Sequence, residues 1–189
     1  MPSSEGKANI AMVVSNEVPP TIPLVANFKK QLAANCPNCK IAQEINVGVT
    51  EWGTKIQPSV QTAVQADPSI NVVIPIYDSM SQFVVPALRL AGKTGEVKVG
   101  TFNGTPFVLD FIQSGEVDMD IGESLDWIAY ATIDGYLRAA CGLPAPSALN
   151  VPFYIFDKNN AKDAGTPAQF DTGYGDAYKS GFRKLWGLE

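Results

Sequence analysis

Histidine is absent from the 189 residues of this chain. Its absence removes the commonest general base and the commonest metal ligand, together with every nucleophile that a Ser-His or Cys-His pair would activate. A glycine-rich phosphate loop is also missing, because the sequence contains no G-x-x-x-x-G-K-[ST] and no G-x-G-x-x-G after its first apolar run. Much enzyme chemistry is therefore excluded, and nucleotide binding has no support.

Basic runs and long apolar runs are scarce as well. Lys and Arg number 14 against 19 Asp and Glu, which gives a net charge of −5, and no cluster forms the basic face that nucleic acid requires. The longest apolar stretches, such as 71–76, are far shorter than the roughly 20 residues that span a bilayer. We expect neither nucleic-acid binding nor a membrane span. Residues 1–7 lack the basic and apolar regions of a signal peptide, so we expect this chain to be without one.

The chain does contain enough apolar sequence for a folded domain, with 46% hydrophobic and 17% charged residues. Short runs rich in Val and Ile alternate with longer amphipathic segments, which predicts an α/β fold: an open doubly wound parallel sheet with helices on both faces. Strands are predicted near Asn9–Val14, Lys40–Ile45, Asn71–Ile76, Val97–Phe102, Val117–Ile121 and Val151–Phe156. Helices are predicted near Ile22–Ala34, Thr54–Gln65, Ser81–Ala91, Pro106–Gln113 and Ser124–Cys141.

The composition changes after Phe156 to Asp, Asn, Gly and Thr. This change divides the chain into a globular part, residues 1–157, and a polar linker with a short carboxyl-terminal helix, residues 158–189. In that helix Tyr178, Phe182, Leu185 and Trp186 share one face. We expect this face to dock on the body of the domain.

Two cysteines form the motif Cys36-Pro37-Asn38-Cys39 between a predicted helix and a predicted strand. A thioredoxin-like redox site has the opposite order, with the motif at the start of a helix that follows a strand. A structural disulfide in an exported protein is the favoured interpretation and a free thiol pair is the alternative. Zinc comes last, because three cysteines without histidine cannot supply four ligands. Cys141 is expected to be a buried free thiol.

Two carboxylates, Asp118 and Asp120, alternate along a predicted strand and therefore point to one face of the sheet. Such a pair could bind a metal or serve as an acid pair. Catalytic pairs are rare, so polar residues on the solvated side of an edge strand, or on its side toward a second lobe, are the favoured interpretation.

The most specific stretch is Val97–Pro106, which reads VKVGTFNGTP. It combines a strand, an Asn-Gly turn and a helix entered through Thr and Pro, which suit the N-cap and N1 positions. It resembles the V-G-F-D-G-T-P loops of ribose-binding and lactose-repressor-like proteins, with Asn103 at the usual Asp. The segments 71–80 and 87–92 are similar to that family's Asn-Asp-x-Met and A-L-R-x-x-G segments. Residues 8–157 together resemble the carboxyl-terminal lobe of a periplasmic sugar-binding protein of the ribose-binding type.

The resemblance implies a flavodoxin-like lobe of the type 1 periplasmic binding proteins. It implies the solute-binding component of an ABC importer for a pentose, a polyol or a similar small solute. This lobe would carry half of the ligand cleft without a cofactor, and the parent protein would meet an ABC permease. The parent would be periplasmic or extracellular, either lipid-anchored or secreted. The effector domain of a lactose-repressor-like regulator and a flavodoxin-like enzyme domain are the alternatives. An exported disulfide would argue against the regulator, because cytosolic thiols stay reduced.

Site residues follow from the same resemblance. The family binds its ligand with planar polar side chains and aromatic rings, at loops that follow the carboxyl ends of the strands. The positions that match are Tyr77 and Asp78 for the Asn-Asp pair, Asn103 for a ligand-contacting Asp, Glu123 for a common Gln, and Trp52 for ring stacking. The family's helix arginine is replaced near Leu24. Asp78 and Asn103 could instead cap the helices that follow them.

The helix predicted over residues 124–141 is similar to the family segment that crosses into the other lobe. Its apolar residues include Leu125, Trp127, Ile128, Ile133 and Leu137. Exposed apolar faces of this kind usually bind a partner. The sequence therefore predicts self-association through this helix.

Overall fold

The computed structural model describes residues 6–188, so residues 1–5, on which the expectation about a signal peptide rests, lie outside the described part. Six strands form one sheet in the order β2-β1-β3-β4-β5-β6. The strands are β1 Asn9–Val14, β2 Lys40–Asn46, β3 Val72–Pro75, β4 Lys98–Asn103, β5 Met119–Glu123 and β6 Phe153–Asp157. The helices are α1 Thr21–Asn35, α2 Gln57–Ala66, α3 Ser81–Leu90, α4 Pro106–Ser114, α5 Leu125–Ala140 and α6 Ala177–Leu185.

The first five strands run parallel, which confirms the predicted doubly wound sheet. Strand β1 lies inside the sheet and all six of its residues are buried, as expected of a strand covered on both faces. Along the chain, β2 is added on one side of β1, and the strands from β3 onward are added on the other side. Right-handed crossovers therefore place α1 on one face and α2, α3 and α4 on the other.

Strand β6 departs from the predicted pattern, because it pairs antiparallel with β5. Helix α5 and the irregular residues 141–152 separate the two strands. So long a connection lets the chain return along β5 in either direction. As a result β5 is an inner strand and β6 forms the edge of the sheet.

Helix α2 begins later than the predicted Thr54. A 3-10 turn at Val49–Glu51 and a π-helical turn at Trp52–Ile56 come first. In this arrangement the Trp52 indole Nε1 donates to the carbonyl of Val47 at 3.2 Å. The irregular turns thus fix Trp52 near the end of β2.

Residues 158–188 pack on the body, although their polar composition suggested a linker. Gln113 of α4 donates to the carbonyls of Ala161 and Gly165 at 3.2 and 2.8 Å. Asp110 accepts from the amide of Ala168 at 2.8 Å, and Tyr174 is 2% exposed. The polar residues of this segment form turns, and its backbone makes hydrogen bonds to the body of the domain.

Helix α6 docks on α5, on the face expected from the sequence. The rings of Tyr130 and Trp186 stack at 5.7 Å with an interplanar angle of 2°, and Tyr178 packs against Trp127 and Tyr130. Leu185 is the exception, because 54% of its surface stays exposed. No helix within residues 6–188 has both the length and the apolarity to cross a membrane.

A disulfide joins Cys36, at the end of α1, to Cys39, just before β2. The predicted disulfide of the C-x-x-C motif is therefore confirmed. The expectation for Cys141 is wrong, because this thiol is exposed. Cys141 directly follows the last residue of α5, and its alanine neighbours are exposed with it.

Thiol counting checks this assignment. Under oxidising conditions the folded protein should react with one equivalent of a thiol reagent at Cys141, and unfolding without a reductant should add none. Reduction should raise the count to three. Three reactive thiols in the oxidised, unfolded protein would contradict the disulfide. A Cys141→Ser variant should show no reactive thiol before reduction, which identifies the reactive residue.

Candidate functional site

The candidate site lies at the carboxyl-terminal edge of the sheet. The loops after β1, β3, β4 and β5 follow one another along this edge, because the strands that carry them are neighbours. The register pairs Asn103 with Gly122, so the side chain of Glu123 follows directly beside the β4 loop. Tyr77 and Asp78 follow β3, the neighbour of β4 on the other side. Ligands of open parallel sheets bind at such an edge.

Two aromatic rings lie on one side of this edge. Trp52 stacks on Tyr77 with 6.3 Å between ring centroids and 27° between planes. The Tyr77 hydroxyl shares a 2.9 Å hydrogen bond with the Thr21 hydroxyl at the start of α1. Both rings are partly exposed. They form an apolar wall whose polar atoms are already bonded within the protein.

Asp78 lies beneath the edge and only 1% of its surface is exposed. Its Oδ2 accepts a 2.6 Å hydrogen bond from the amide of Thr105, the N-cap residue of α4. Burial raises the pKa of this carboxyl, and hydrogen bonds from Thr105 oppose that shift. In this structure the carboxyl of Asp78 faces inward and holds the loop after β4, and it does not cap the helix that follows Asp78.

The loop after β4 has an unusual backbone. Asn103 has φ 145° and Gly104 has φ 83°, both in the region that side chains rarely adopt. The Gly104 amide donates to Asp120 Oδ2 at 3.0 Å. A Cβ on Gly104 would lie 2.8 Å from the Cα of Gly122. The loop is therefore pressed against β5, and only glycine fits at position 104.

Asn103 and Glu123 are the partly exposed polar residues that this loop and β5 present. Within residues 6–188 neither side chain makes a hydrogen bond or an ion pair. Burial raises the pKa of the Glu123 carboxyl. The two line a small concavity of about 80 Å³ together with Thr105, Phe170 and Asp171. Unbonded polar groups beside aromatic and apolar surface can take the hydroxyls and the C–H face of a polyol.

Two residues of this region were not anticipated as site residues. Asp120 is completely buried and β6 makes β5 an inner strand, so the expectation of a polar residue on an edge strand is wrong. Tyr174 belongs to the segment taken for a linker, and its hydroxyl donates to the carbonyl of Gly104 at 3.3 Å. The alternation of Asp120 with apolar Met119 and Ile121 predicts a polar outer face, so the burial of Asp120 had no signal in the sequence. The position of Tyr174 had no signal in the sequence.

Asp118 and Asp120 do not act as a pair. Asp118 Oδ2 accepts from the amide of Val99 at 2.9 Å, and its Oδ1 lies 3.1 Å from Lys98 Nζ. Asp120 interacts instead with Asp78. No group of three metal-binding side chains occurs in the part of the chain that the structure describes.

A larger groove of about 420 Å³ runs between α1 and β2. The ion pair of Lys29 and Glu44 spans 2.6 Å across it. Strand β2 is the open edge of the sheet, so this groove is a shallow surface between an edge strand and a helix. Two of its charged groups, Lys29 and Glu44, already bond each other, and the carboxyl edge is the better candidate.

The sequence matches the model of the periplasmic binding protein domain over residues 3–144. No curated protein sequence matches the chain. Among solved structures, an ABC transporter periplasmic solute-binding protein from Actinobacillus succinogenes with bound D-allose is similar, with a TM-score of 0.74 and 22% identity over 85% of this chain. The Caulobacter myo-inositol binding protein, bound to myo-inositol, has a TM-score of 0.72 and 18% identity over 86%. A Mycobacterium smegmatis structure covers 99% of this chain, with a TM-score of 0.71 and 22% identity.

The chain spans 57%, 56% and 58% of the length of these three structures. At these identities the likeness concerns the fold. The Mycobacterium smegmatis structure includes a counterpart of residues 158–188 in its alignment, since it covers nearly the whole chain. The docked carboxyl-terminal segment thus fits within the same architecture.

Proposed function

The chain belongs to the periplasmic binding protein domain family, and from this membership we propose that it is the solute-binding part of an ABC-type importer for a small sugar or polyol. The observation that carries the proposal is the pair of unbonded polar side chains, Asn103 and Glu123, at the carboxyl edge beside aromatic rings. The similar structures named above contain D-allose and myo-inositol. Both ligands are neutral polyols with apolar C–H faces.

Each site residue has a proposed role. Asn103 offers an amide donor and acceptor, and Glu123 a carboxylate that accepts two hydroxyls. Trp52 and Tyr77 present ring faces to the C–H side of the solute. Asp78 acts indirectly, by holding the Thr105 amide that follows Asn103. Binding by hydroxyl recognition involves no covalent step, so the proposal does not include enzyme activity.

The remaining parts of the proposal concern the longer protein. This chain spans little more than half of the similar structures, so we propose that it supplies one side of a cleft. The complete protein would be periplasmic or extracellular and would deliver its solute to a permease. Self-association through α5 stays a prediction. Leu125, Ile133, Tyr136 and Leu137 are 46–75% exposed on this helix.

The second candidate, an effector domain of a lactose-repressor-like regulator, shares the fold. The Cys36–Cys39 disulfide favours the importer, because structural disulfides persist in oxidising compartments. A regulator in a reducing compartment would carry free thiols at these positions.

A thermal-shift screen tests the function. D-Allose, D-arabinose and myo-inositol are added to the chain up to tens of millimolar, and bound solute should stabilise the fold by RT ln(1 + [L]/Kd). A solute present at ten times its Kd should raise the unfolding midpoint by about 3–6 °C for a protein of this size. One lobe offers half of the contacts, so the affinity should be weak.

Sugars also stabilise proteins without binding, because they are excluded from the surface. The same screen on Asn103→Ala measures this background. A shift in the original chain that exceeds the shift in Asn103→Ala supports the function. Equal shifts for every solute would contradict it.

A further inference from the structure

Two buried carboxyl groups hold the loop that carries Asn103. Asp78 Oδ2 accepts from the Thr105 amide at 2.6 Å, and Asp120 Oδ2 accepts from the Gly104 amide at 3.0 Å. Asp78 is 1% exposed and Asp120 is 0% exposed. Each of the two carboxyl groups also affects the pKa of the other, because they lie close together. The amides of Gly104 and Thr105, which are consecutive in the loop, thus donate hydrogen bonds to two neighbouring aspartates.

The second oxygen of Asp120 has no partner if both acids are ionised. Asp120 Oδ1 is buried without a hydrogen-bond donor from the described residues. A buried, unpartnered carboxylate oxygen costs on the order of several kcal/mol. A proton on Oδ1 removes this cost, because a protonated carboxyl can donate to the neighbouring carboxylate.

The ionisable groups near the pair are acidic or phenolic. Tyr174 of the carboxyl-terminal segment interacts with Asp78 and Asp120, and also with Glu123 of β5 and with Asp171. Among residues 6–188, no Lys or Arg forms an ion pair with Asp78 or Asp120. Two full negative charges at this place would therefore repel each other in a poorly solvated environment, with only the Gly104 and Thr105 amides to stabilise them.

We propose that Asp78 and Asp120 share one proton at neutral pH, with the hydrogen on Asp120, and that this acid–carboxylate pair positions the loop that presents Asn103. Asp78 and Asp120 are positioning residues, since neither reaches the surface. The link to solute binding rests on the proposed function. The shared proton does not, because it is measured without any solute.

The pH dependence follows from the shared proton. Burial first, and then the charge of Asp78, raise the pKa of Asp120 from 3.8 to about 8. The folded protein therefore keeps a proton that the unfolded chain releases above about pH 4. Stability contributed by this proton is complete below pH 4 and is lost as the pH rises through about 8. The proton then leaves to water and both carboxylates remain charged.

An NMR titration of the whole chain tests the proposal. The side-chain carboxyl carbon of one aspartate should show a transition near pH 8. The amide resonances of Gly104 and Thr105 should shift with the same midpoint, because these amides donate to the pair. The Val99 amide, which donates to Asp118, provides the comparison and should not follow this transition. If every aspartate carboxyl titrates below pH 5, the proposal is overturned.

Variants test the assignment independently. In Asp120→Asn the amide should mimic the protonated acid, so the transition near pH 8 should disappear. The thermal midpoint of the original chain should fall by about 5 °C or more between pH 5.5 and 8.5, and that of Asp120→Asn by less than half as much. Asp118→Asn is the matched control, and its thermal midpoint should fall as much as that of the original chain. If the thermal midpoint falls by the same amount in all three proteins, the proposal is overturned. The NMR titration of the unaltered chain decides the question if Asp120→Asn does not fold.

Discussion

Gly104→Ala should lower the free energy of unfolding by about 3–5 kcal/mol, the largest effect expected of a small substitution in this protein. Gly104 has φ 83°, where an alanine is strained. Its new Cβ would lie 2.8 Å from the Cα of Gly122, a backbone atom that cannot rotate away. Strand β5 would have to move, and the amide bond to Asp120 would lengthen with it. Urea-induced unfolding measures the loss.

Gly115→Ala separates the two causes. Gly115 ends α4 with φ 81°, nearly the same backbone conformation, and a Cβ there meets nothing within 4 Å. This variant should lose only the conformational part, about 1 kcal/mol. If both variants lose the same free energy of unfolding, the close approach of the β4 loop to β5 does not affect stability, and our description of the loop is wrong.

Asn103→Ala should weaken solute binding by on the order of 1–3 kcal/mol, a 5- to 150-fold loss of affinity. Its side chain is partly exposed and makes no hydrogen bond within the described residues, so the amide is available to a solute. The substitution breaks no hydrogen bond of the folded protein, but alanine tolerates φ 145° less well than asparagine does, so stability should fall modestly. Calorimetry with the solute that gives the largest thermal shift measures the affinity.

Asn27→Ala is the control for this loss. Asn27 is an exposed amide on α1 whose side chain donates to the carbonyl of Pro23. Its removal should leave the affinity unchanged. Asn103→Asp restores the residue that related loops carry and keeps the acceptor oxygens, so it should retain more affinity than Asn103→Ala. Unchanged affinity in Asn103→Ala would place the site elsewhere.

The elements that the sequence predicts well are those with local signals. Strand β1 has the predicted bounds, because it is a continuous apolar run beside polar residues. Helix α5 begins after Ser124, whose hydroxyl accepts from the Trp127 amide at 3.1 Å as an N-cap residue does. Residues within one turn or one strand carry these signals, so no tertiary information is needed.

The features that the sequence does not predict depend on contacts between distant segments. The direction of β6 follows from a connection of more than ten residues, and the burial of Asp120 goes with its contacts to the β4 loop and Asp78. Tyr174 reaches Gly104 across 70 positions. None of these outcomes has a short-range pattern, because each is decided by packing.

The candidate site shows the same division. The loops at the carboxyl edge follow from the strand pattern and the rule for open sheets. That Asp78 turns inward and that Asp120 lies behind Gly104 are consequences of the close contact between β4 and β5. A sequence motif indicates which residues lie at an edge, but their side-chain directions require the fold.

The most direct test of solute binding at the carboxyl edge is an NMR amide titration of this chain with D-allose and with myo-inositol. The account predicts that shifts concentrate at residues 76–78, 103–105 and 122–124 and at the indole N–H of Trp52. It predicts no shifts along the groove between Lys29 and Glu44. If neither solute, nor any other that stabilises the chain, shifts these resonances, or if the shifts lie along that groove, the account is contradicted.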